Sequence, residues 1–580
     1  MAEQDLGLRY WQSQLVSRRK VLAGAAVGGA TVGAIAIVGC GGSSKKTNGT
    51  PGAGATPNTT ATSGVQDGSQ DGPAKPGGIL NIRQGGPLPS MKVFGPSILA
   101  LAQGLYLGFT TYDHMWYTPT DTGVRELFLA TQVEQPDALT VIATLGNAVF
   151  HNKPPVSGRK VTAEDVVASF KRFRDEIGIG YDWLHNVMDD ITFAGDSTVT
   201  IKQKFPWAWV FTSSNAGSPI TSSILPKEIL HNDDILTKDA IGSGQWVLKS
   251  HDNGANIQLA KFDKFRQFAG TKSIAGQPFL DGINNKLITD DVAALAAFKA
   301  GDIDTYGYTS KTEADDTKKE FGDKIVNGSG LGRDYVTLML KYEPPFTDER
   351  VRQAFNLLID RDEAIQLLAE GNGVKCGPIP PAHKLYALPE SDPDLKEYFR
   401  HDIADAKKLL EAASFDFNQE VVLKHSVRPV DSNLAQVLQA QLKRGGINVK
   451  LLPEDLIKWF SQSLGTGNFH MTCFQHLPYE DPDLPLRFYL GAEGDRKNFM
   501  GYKDAEVDAA VLAAAKELDE KARIEKVKTA QRVIMKKYAP MLNIFSEIGY
   551  GGRYAYVKGS ISGRGSYGLF NRTSWLDKKA

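Results

Sequence analysis

Residues 341–361, KYEPPFTDERVRQAFNLLIDR, fix one local structure more tightly than any other stretch of this 580-residue chain. Pro344 and Pro345 hold the backbone extended and disfavour helix just before them. Thr347 or Asp348 then offers a side-chain oxygen to the open N–H groups of a helix start, and Asp348 and Glu349 put negative charge at its positive end. Val351, Ala354, Phe355, Leu358 and Ile359 recur at the spacing of one apolar helical stripe, with Arg350 and Arg352 off it. The stretch predicts an extended segment feeding an amphipathic helix packed on a core. By itself it carries no chemistry.

The same grammar recurs along the chain. Residues 79–82 read as a first strand after Pro-Gly-Gly, and residues 131–150 alternate apolar and polar positions as a small sheet would. In VTAEDVVASFKRF (161–173), Thr162 can cap a helix whose buried stripe is Val166, Phe170 and Phe173. Residues 290–304 give a helix through Ala294, Leu295 and Phe298 that stops at Gly301. Helices at 405–413 and 433–444 each lead through a turn into a short apolar strand, an α/β rhythm. Two long helices follow at 505–518 and 521–538. Pro540 ends the second, and 541–545 reads as a strand.

Composition sets the class. Hydrophobic residues make up 42% of the chain and charged ones 23%, as in ordinary globular proteins. Net charge is −1, so no basic field argues for nucleic acid. Three cysteines exclude a disulfide scaffold. The length suits two or three compact units.

The N-terminus points to export. Ser17-Arg18-Arg19-Lys20 precedes an apolar, Gly/Ala-rich run that ends Ile37-Val38-Gly39-Cys40. A charged start, an apolar core and a small-residue exit are the parts of a signal segment. The paired arginines resemble the twin-arginine type, with Val21 where that motif usually has Phe. The exit resembles a lipobox, which implies cleavage before Cys40 and acylation of its thiol. The alternative is an uncleaved membrane anchor, since the run is nearly long enough to span a bilayer. Residues 41–75, poor in large apolar side chains, read as a flexible tether.

Several motifs stand in an order that resembles the family 5 extracellular solute-binding proteins of ABC importers, the peptide, nickel and oligosaccharide binders. They are Pro-Gly-Gly before the first strand, Val-Thr-Ala-Glu-Asp-Val at 161–166, and Pro-Pro-Phe…Asp-Glu-Arg-Val-Arg-Gln-Ala…Ile-Asp-Arg at 344–361. GVKCGPIPP at 373–381 resembles the family's Gly-Pro-Ile-Pro-Pro connection. Ile-Gly-Ser-Gly-Gln-Trp at 241–246 resembles its Gly-Thr-Gly-Pro-Tyr element, with Gln245 and Trp246 replacing Pro and Tyr. The resemblance implies an α/β, two-lobed periplasmic-binding-protein type II fold with three subdomains and a ligand cleft between the lobes. Lobe I would span 76–305 with a small subdomain inserted at about 116–220, lobe II would span 306–540, and 541–580 would return to lobe I.

It also implies capture of a small solute, an oligopeptide or another, by hinge closure, and delivery to permease subunits driven by a separate ATPase. The protein would be a monomer on the outer face of the cytoplasmic membrane, held by its lipid anchor. A surface receptor for signalling, or a surface enzyme using the same cleft, are the alternatives. Catalytic signatures are missing: the sequence has no His-Glu-x-x-His, no Gly-x-Ser-x-Gly and no phosphate loop. No cofactor or metal is expected. His470, Cys473 and His476 form one metal-like cluster, but a strand there would turn Cys473 away from the two histidines and leave the ligand set short. Export permits Cys376 and Cys473 to pair.

In the family, the segment before an Asp-Pro-Asp turn lines the pocket; here that segment is FQHLPYEDPD (474–483). Peptide binders carry an aspartate three residues ahead of Asp-Pro to hold the peptide ammonium, and this chain has Pro478 there, with Gln475 where Trp is frequent. A buried ammonium without a carboxylate is strongly disfavoured. Glu480 or Asp481 can substitute, but a turn cap is the better fit for Asp481. The expected pocket combines Trp246, Phe474, Gln475, His476, Tyr479 and Asp481, with Trp116 and Tyr117 as further wall residues. Buried packing is the plain alternative for each aromatic.

Overall fold

The computed structural model describes residues 72–577 except 87, 89, 94–105, 109, 118–124, 177–182, 213–221, 253–255, 266–276, 333, 477–478, 480, 492–497 and 560–572. The expected signal segment, Cys40 and nearly all of the tether lie outside the described residues, as do Pro478, Glu480 and the side chain of Tyr117.

Strand β1 (Ile79–Gln84) follows the Pro-Gly-Gly start. An antiparallel sheet comes next, built from β2 (Ala130–Asp137), β3 (Thr140–Leu145), β4 (Met188–Ala194) and β5 (Thr198–Gln203) in the order β2-β3-β5-β4. Helix α1 (Ala163–Glu176) packs against it and buries Val166, Phe170 and Phe173, the stripe expected from sequence. Thr162 stands at the N-cap, its carbonyl accepting the Val166 N–H at 3.4 Å, and Asp165 three residues on reaches back to it. The buried Asp165 carboxylate accepts from the Thr162 hydroxyl and backbone N–H at 2.9 Å each, and from the Lys227 N–H at 3.0 Å. Both terminal nitrogens of Arg159 complete the shell at 2.8 and 2.7 Å. Burial alone would raise the Asp165 carboxyl, but these donors hold it below the usual carboxylate range.

Strands β6 (Trp246–His251), β7 (Asn256–Lys261) and β8 (Gly282–Leu287) join β1 in a sheet of order β1-β8-β7-β6, with β1 and β8 parallel. The Gly-Ser-Gly turn before β6 lies against the backbone of residues 111–112. A Cβ on Gly242 would sit 2.1 Å from the Thr111 carbonyl oxygen, so only glycine permits this approach. Helix α2 (Asp291–Ala300) is capped by Asp290 and stops at Gly301, whose φ is +80°.

The largest sheet takes its strands from the second half of the chain: β9 (Thr305–Tyr308), β10 (Ile325–Leu331), β11 (Val336–Leu340), β12 (Gly373–Lys375), β13 (Glu420–Ser426), β14 (Asn448–Glu454), β15 (Met471–Gln475) and β16 (Met541–Tyr554). Its main path is β9-β16-β11-β15-β13-β14, with β10 and β12 also pairing β16. Helices α3 (Glu349–Leu358), α4 (Ile403–Ala412) and α5 (Pro429–Arg444) pack around it, and α5 is the crossover between parallel β13 and β14. Three helices precede β16: α6 (Asp483–Arg487), α7 (Ala505–Lys516) and α8 (Glu520–Lys536).

Helix α3 matches its sequence pattern, with Asp348 as the N-cap and the Val351, Ala354, Phe355, Leu358 and Ile359 stripe buried. Arg352, off that stripe, is nevertheless buried. Its guanidinium donates to the carbonyls of Phe346, Thr347, Lys537 and Tyr538 at 2.7–3.0 Å, and so satisfies oxygens left open at the end of α8. Residues 541–554 belong to the large sheet. Contact with β1 comes through Asp304, which receives the Asn81 N–H at 2.7 Å and the Tyr556 hydroxyl at 2.5 Å.

Candidate functional site

Strand β15, between β11 and β13 inside the large sheet, ends with Phe474 and Gln475, and α6 begins at Asp483. Gln475 sits opposite Val336 of β11. Its backbone N–H donates to Asp431 at 3.1 Å, and its side-chain amide donates to Asp334 at 2.7 Å. Asp431, in the first turn of α5, is fully buried. It accepts from Arg428 at 2.7 and 2.9 Å and from the Ser426 hydroxyl at 2.5 Å. A charge so placed is tolerable because it is paired and fully hydrogen-bonded.

His476 forms the centre of an aromatic box. Its ring stacks on Tyr335 at 4.4 Å and 3°, meets Phe474 at 4.1 Å, and meets Phe488 edge-on at 5.2 Å. Its Nε2 lies 3.0 Å from the Thr337 hydroxyl and its Nδ1 lies 3.3 Å from the Tyr479 hydroxyl. Burial, reinforced by the nearby Arg428 charge, lowers its pKa to about 3, so the imidazole is neutral at physiological pH. Burial raises the Tyr479 phenol. The box is therefore uncharged, with fixed charges on its flanks.

Asp481 accepts the Asp483 N–H at 3.0 Å, the turn-capping role that its place before α6 suits. Asp483 in turn pairs with Arg487 at 2.7 Å, both side chains buried. Phe474 and Tyr479 are thus both in contact with His476, while Gln475 bonds Asp334 and Asp481 bonds the Asp483 N–H on the same segment. Trp246 is fully buried on β6, and Trp116 is fully buried against Phe211, ring centroids 5.3 Å apart. Both belong to the core that also encloses Phe474, on elements from the first half of the chain.

Sequence reasoning missed Asp334, Tyr335, Thr337, Arg428, Asp431 and Phe488. All but Phe488 come from β11 and α5 or the residues just ahead of them, brought in by sheet pairing, so no local pattern marks them. The one available hint was Arg428 and Asp431 three apart at a helix start that follows a strand.

Chemistry at the box is limited. A Thr–His contact is present, but an imidazole near pKa 3 is a poor base at neutral pH, and Thr337 is fully buried. His470 and His476 flank β15 six residues apart, about 20 Å along a strand, too far to share an ion. Among the described residues no group of three or more His, Cys, Asp or Glu side chains could hold a metal. Cys376 and Cys473 are buried free thiols, not a disulfide, and burial pushes Cys376 up to about 12.

Residues 126–498, more than half of the chain, match the model of the bacterial extracellular solute-binding proteins, family 5 (middle region). The oligopeptide-binding protein AppA of Bacillus subtilis is 25% identical over 480 residues, covering 77% of this chain and 83% of its own length. The structure of AppA in complex with a nonapeptide superposes with a TM-score of 0.70 at 22% identity, over 87% of this chain and 100% of that one. AgaA of A. tumefaciens R10 in complex with agropinic acid superposes with a TM-score of 0.72 at 21% identity, over 87% and 99%. The fold is thus the two-lobed α/β type II binding-protein fold. With the family signatures at 161–166 and 344–361 inside the matched region, the chain belongs to the family 5 bacterial extracellular solute-binding proteins.

Proposed function

We propose that the protein is the lipid-anchored solute-binding component of an ABC importer. It captures a peptide-like or other small polar solute by hinge closure and delivers it to a membrane permease driven by a separate ATPase. In this reading residues 76–305 form most of lobe I and 306–540 most of lobe II, and the 541–580 segment passes through the large sheet as 541–554 before it returns to lobe I. The observation that carries it is the 474–483 segment. An uncharged aromatic box there, whose imidazole is held near pKa 3, is flanked by the part-buried Arg428–Asp431 and the buried Arg487–Asp483 pairs. Aromatic walls with a few fixed polar groups are what orient a bound solute without transforming it.

The likeness to AppA favours a peptide. Pro478, where peptide binders place an acid, favours a ligand whose ammonium is held elsewhere or is absent, and the AgaA complex shows that this fold also takes a non-peptide solute. Trp246, Trp116 and Tyr117 remain candidate wall residues. Native mass spectrometry of the protein, purified from an exported preparation without refolding, decides the class. A ladder of adducts at peptide masses supports peptide import, one non-peptide mass names a different solute, and a preparation that binds no solute under any growth condition rejects the reading. Anchoring is tested separately. Cys40→Ala is expected to abolish incorporation of labelled fatty acid, and unchanged labelling would exclude acylation at this thiol.

A further inference from the structure

Residues 205–211 set an aromatic ring at every second position, Phe205, Trp207, Trp209 and Phe211, and each ring faces a cation. Lys516 lies 5.2 Å from the Phe205 centroid, Arg487 5.7 Å from Trp207, Arg523 5.1 Å from Trp209 and Arg125 3.6 Å from Phe211. Three of the four cations come from α6, α7 and α8, in the half of the chain that carries the site segment, whereas the rings follow β5. Trp209 also meets Tyr386 edge-on at 5.6 Å. Trp207 and Trp209 are buried in a core shared with Val511, Ala514, Val527 and Ala530.

Two of the cations are also held by contacts of their own. Arg523 donates to the carbonyls of Glu517 and Leu518 at 3.0 and 3.1 Å, and Arg487 is fixed by Asp483. A cation within about 6 Å of a ring face is attracted to it, more strongly when both are out of water. The buried Arg487–Trp207 contact is therefore the strong point and the exposed Lys516–Phe205 contact the weak one.

We propose that residues 205–211 are a latch, a strap of rings that slots between cations fixed on α6–α8 and holds the cleft shut over the 474–483 segment. Its purpose rests on the solute-capture reading, but its contacts do not. Asp483 closes the segment and also fixes Arg487 beneath Trp207. Asp483 thereby links the site segment to the strap. Trp207, Trp209, Lys516 and Arg523 act here as positioning residues, apart from the solute contacts.

The test compares full-length wild-type protein with a Lys516→Met/Arg523→Met variant by hydrogen exchange, with no solute added. Methionine keeps most of each stem and removes the charge. Removing one exposed cation from its ring lowers the closed-to-open ratio about 2- to 5-fold. For the two cations together, the expected result is exchange about 5- to 25-fold faster in residues 205–212 and 483–490, with Glu420–Ser426 unaffected. Arg523→Lys, which keeps a cation, should recover part of the protection. Unchanged exchange in 205–212 overturns the latch. So does an equal rise at Glu420–Ser426, the mark of general destabilisation. Because the experiment contains no solute, failure to find a ligand would sink the transport reading and leave this result standing.

Discussion

His476 ties the site to the stability of the fold. Held near pKa 3 by burial, against about 6.5 for a free histidine, it stays neutral in the native state while the unfolded chain takes up a proton. Between those two values the unfolded state binds more protons, so stability falls as pH falls below about 6.5, by about 1.4 kcal/mol per pH unit. Going from pH 7 to 5 this one ring costs about 2 kcal/mol. His151, which burial lowers to about 4, follows the same sign and adds a similar amount over the interval. Substituting His476→Gln removes one of the two. Urea unfolding followed by circular dichroism, at pH 7 and at pH 5, gives the comparison for wild type and variant. The variant should be weaker at pH 7, without the stacking on Tyr335 and the Thr337 hydrogen bond. Its further loss between pH 7 and 5 should be smaller than that of wild type by about 2 kcal/mol. Carboxylates common to both proteins cancel in this difference. Equal losses would refute the argument that the box excludes the imidazolium.

Asp165→Asn should destabilise by about 2–3 kcal/mol in the same assay, less than the removal of a fully buried partner, because Arg159 keeps Glu228 and is partly exposed. The Asp165 contribution is present above the usual carboxylate pKa and fades as pH drops through its lowered value, so wild type and variant should converge in acid. Gly242→Ala forces a methyl group onto the Thr111 carbonyl and should lower the melting temperature measurably, or abolish soluble protein. A melting curve that matched wild type would mean that the 111–112 backbone gives way freely.

Local pattern was legible wherever one element satisfies itself. The α3 stripe and its Asp348 cap, and the α1 stripe, need only their own residues to be recognised. Polar partnerships across elements were not legible. Arg352 reads as an outward charge until the carbonyls past the end of α8 come to meet it. Thr162 reads as a cap and stands as one, but its partner Asp165 and the Arg159 that pairs with it from ahead of the helix were not legible. Sheet order was equally hidden, since β1 pairs with β8 some two hundred residues on. At the site, the contiguous 474–481 segment could be picked out because it sits on one stretch of chain. Asp334, Tyr335 and Asp431 reach it only through the pairing of β11 with β15 and the packing of α5 on the sheet.

The central claim is that a solute is held at the 474–483 segment. Its most direct test is native mass spectrometry of wild-type protein and of Gln475→Ala, produced by export under identical conditions. The substitution removes the amide that bonds Asp334 and leaves the aromatic box intact. A solute adduct is expected on wild type, and a smaller adduct population on the variant, where Asp334 has lost the donor that holds it at the segment. Adducts of equal mass and abundance on both proteins, with both correctly folded, would place the solute elsewhere and contradict it.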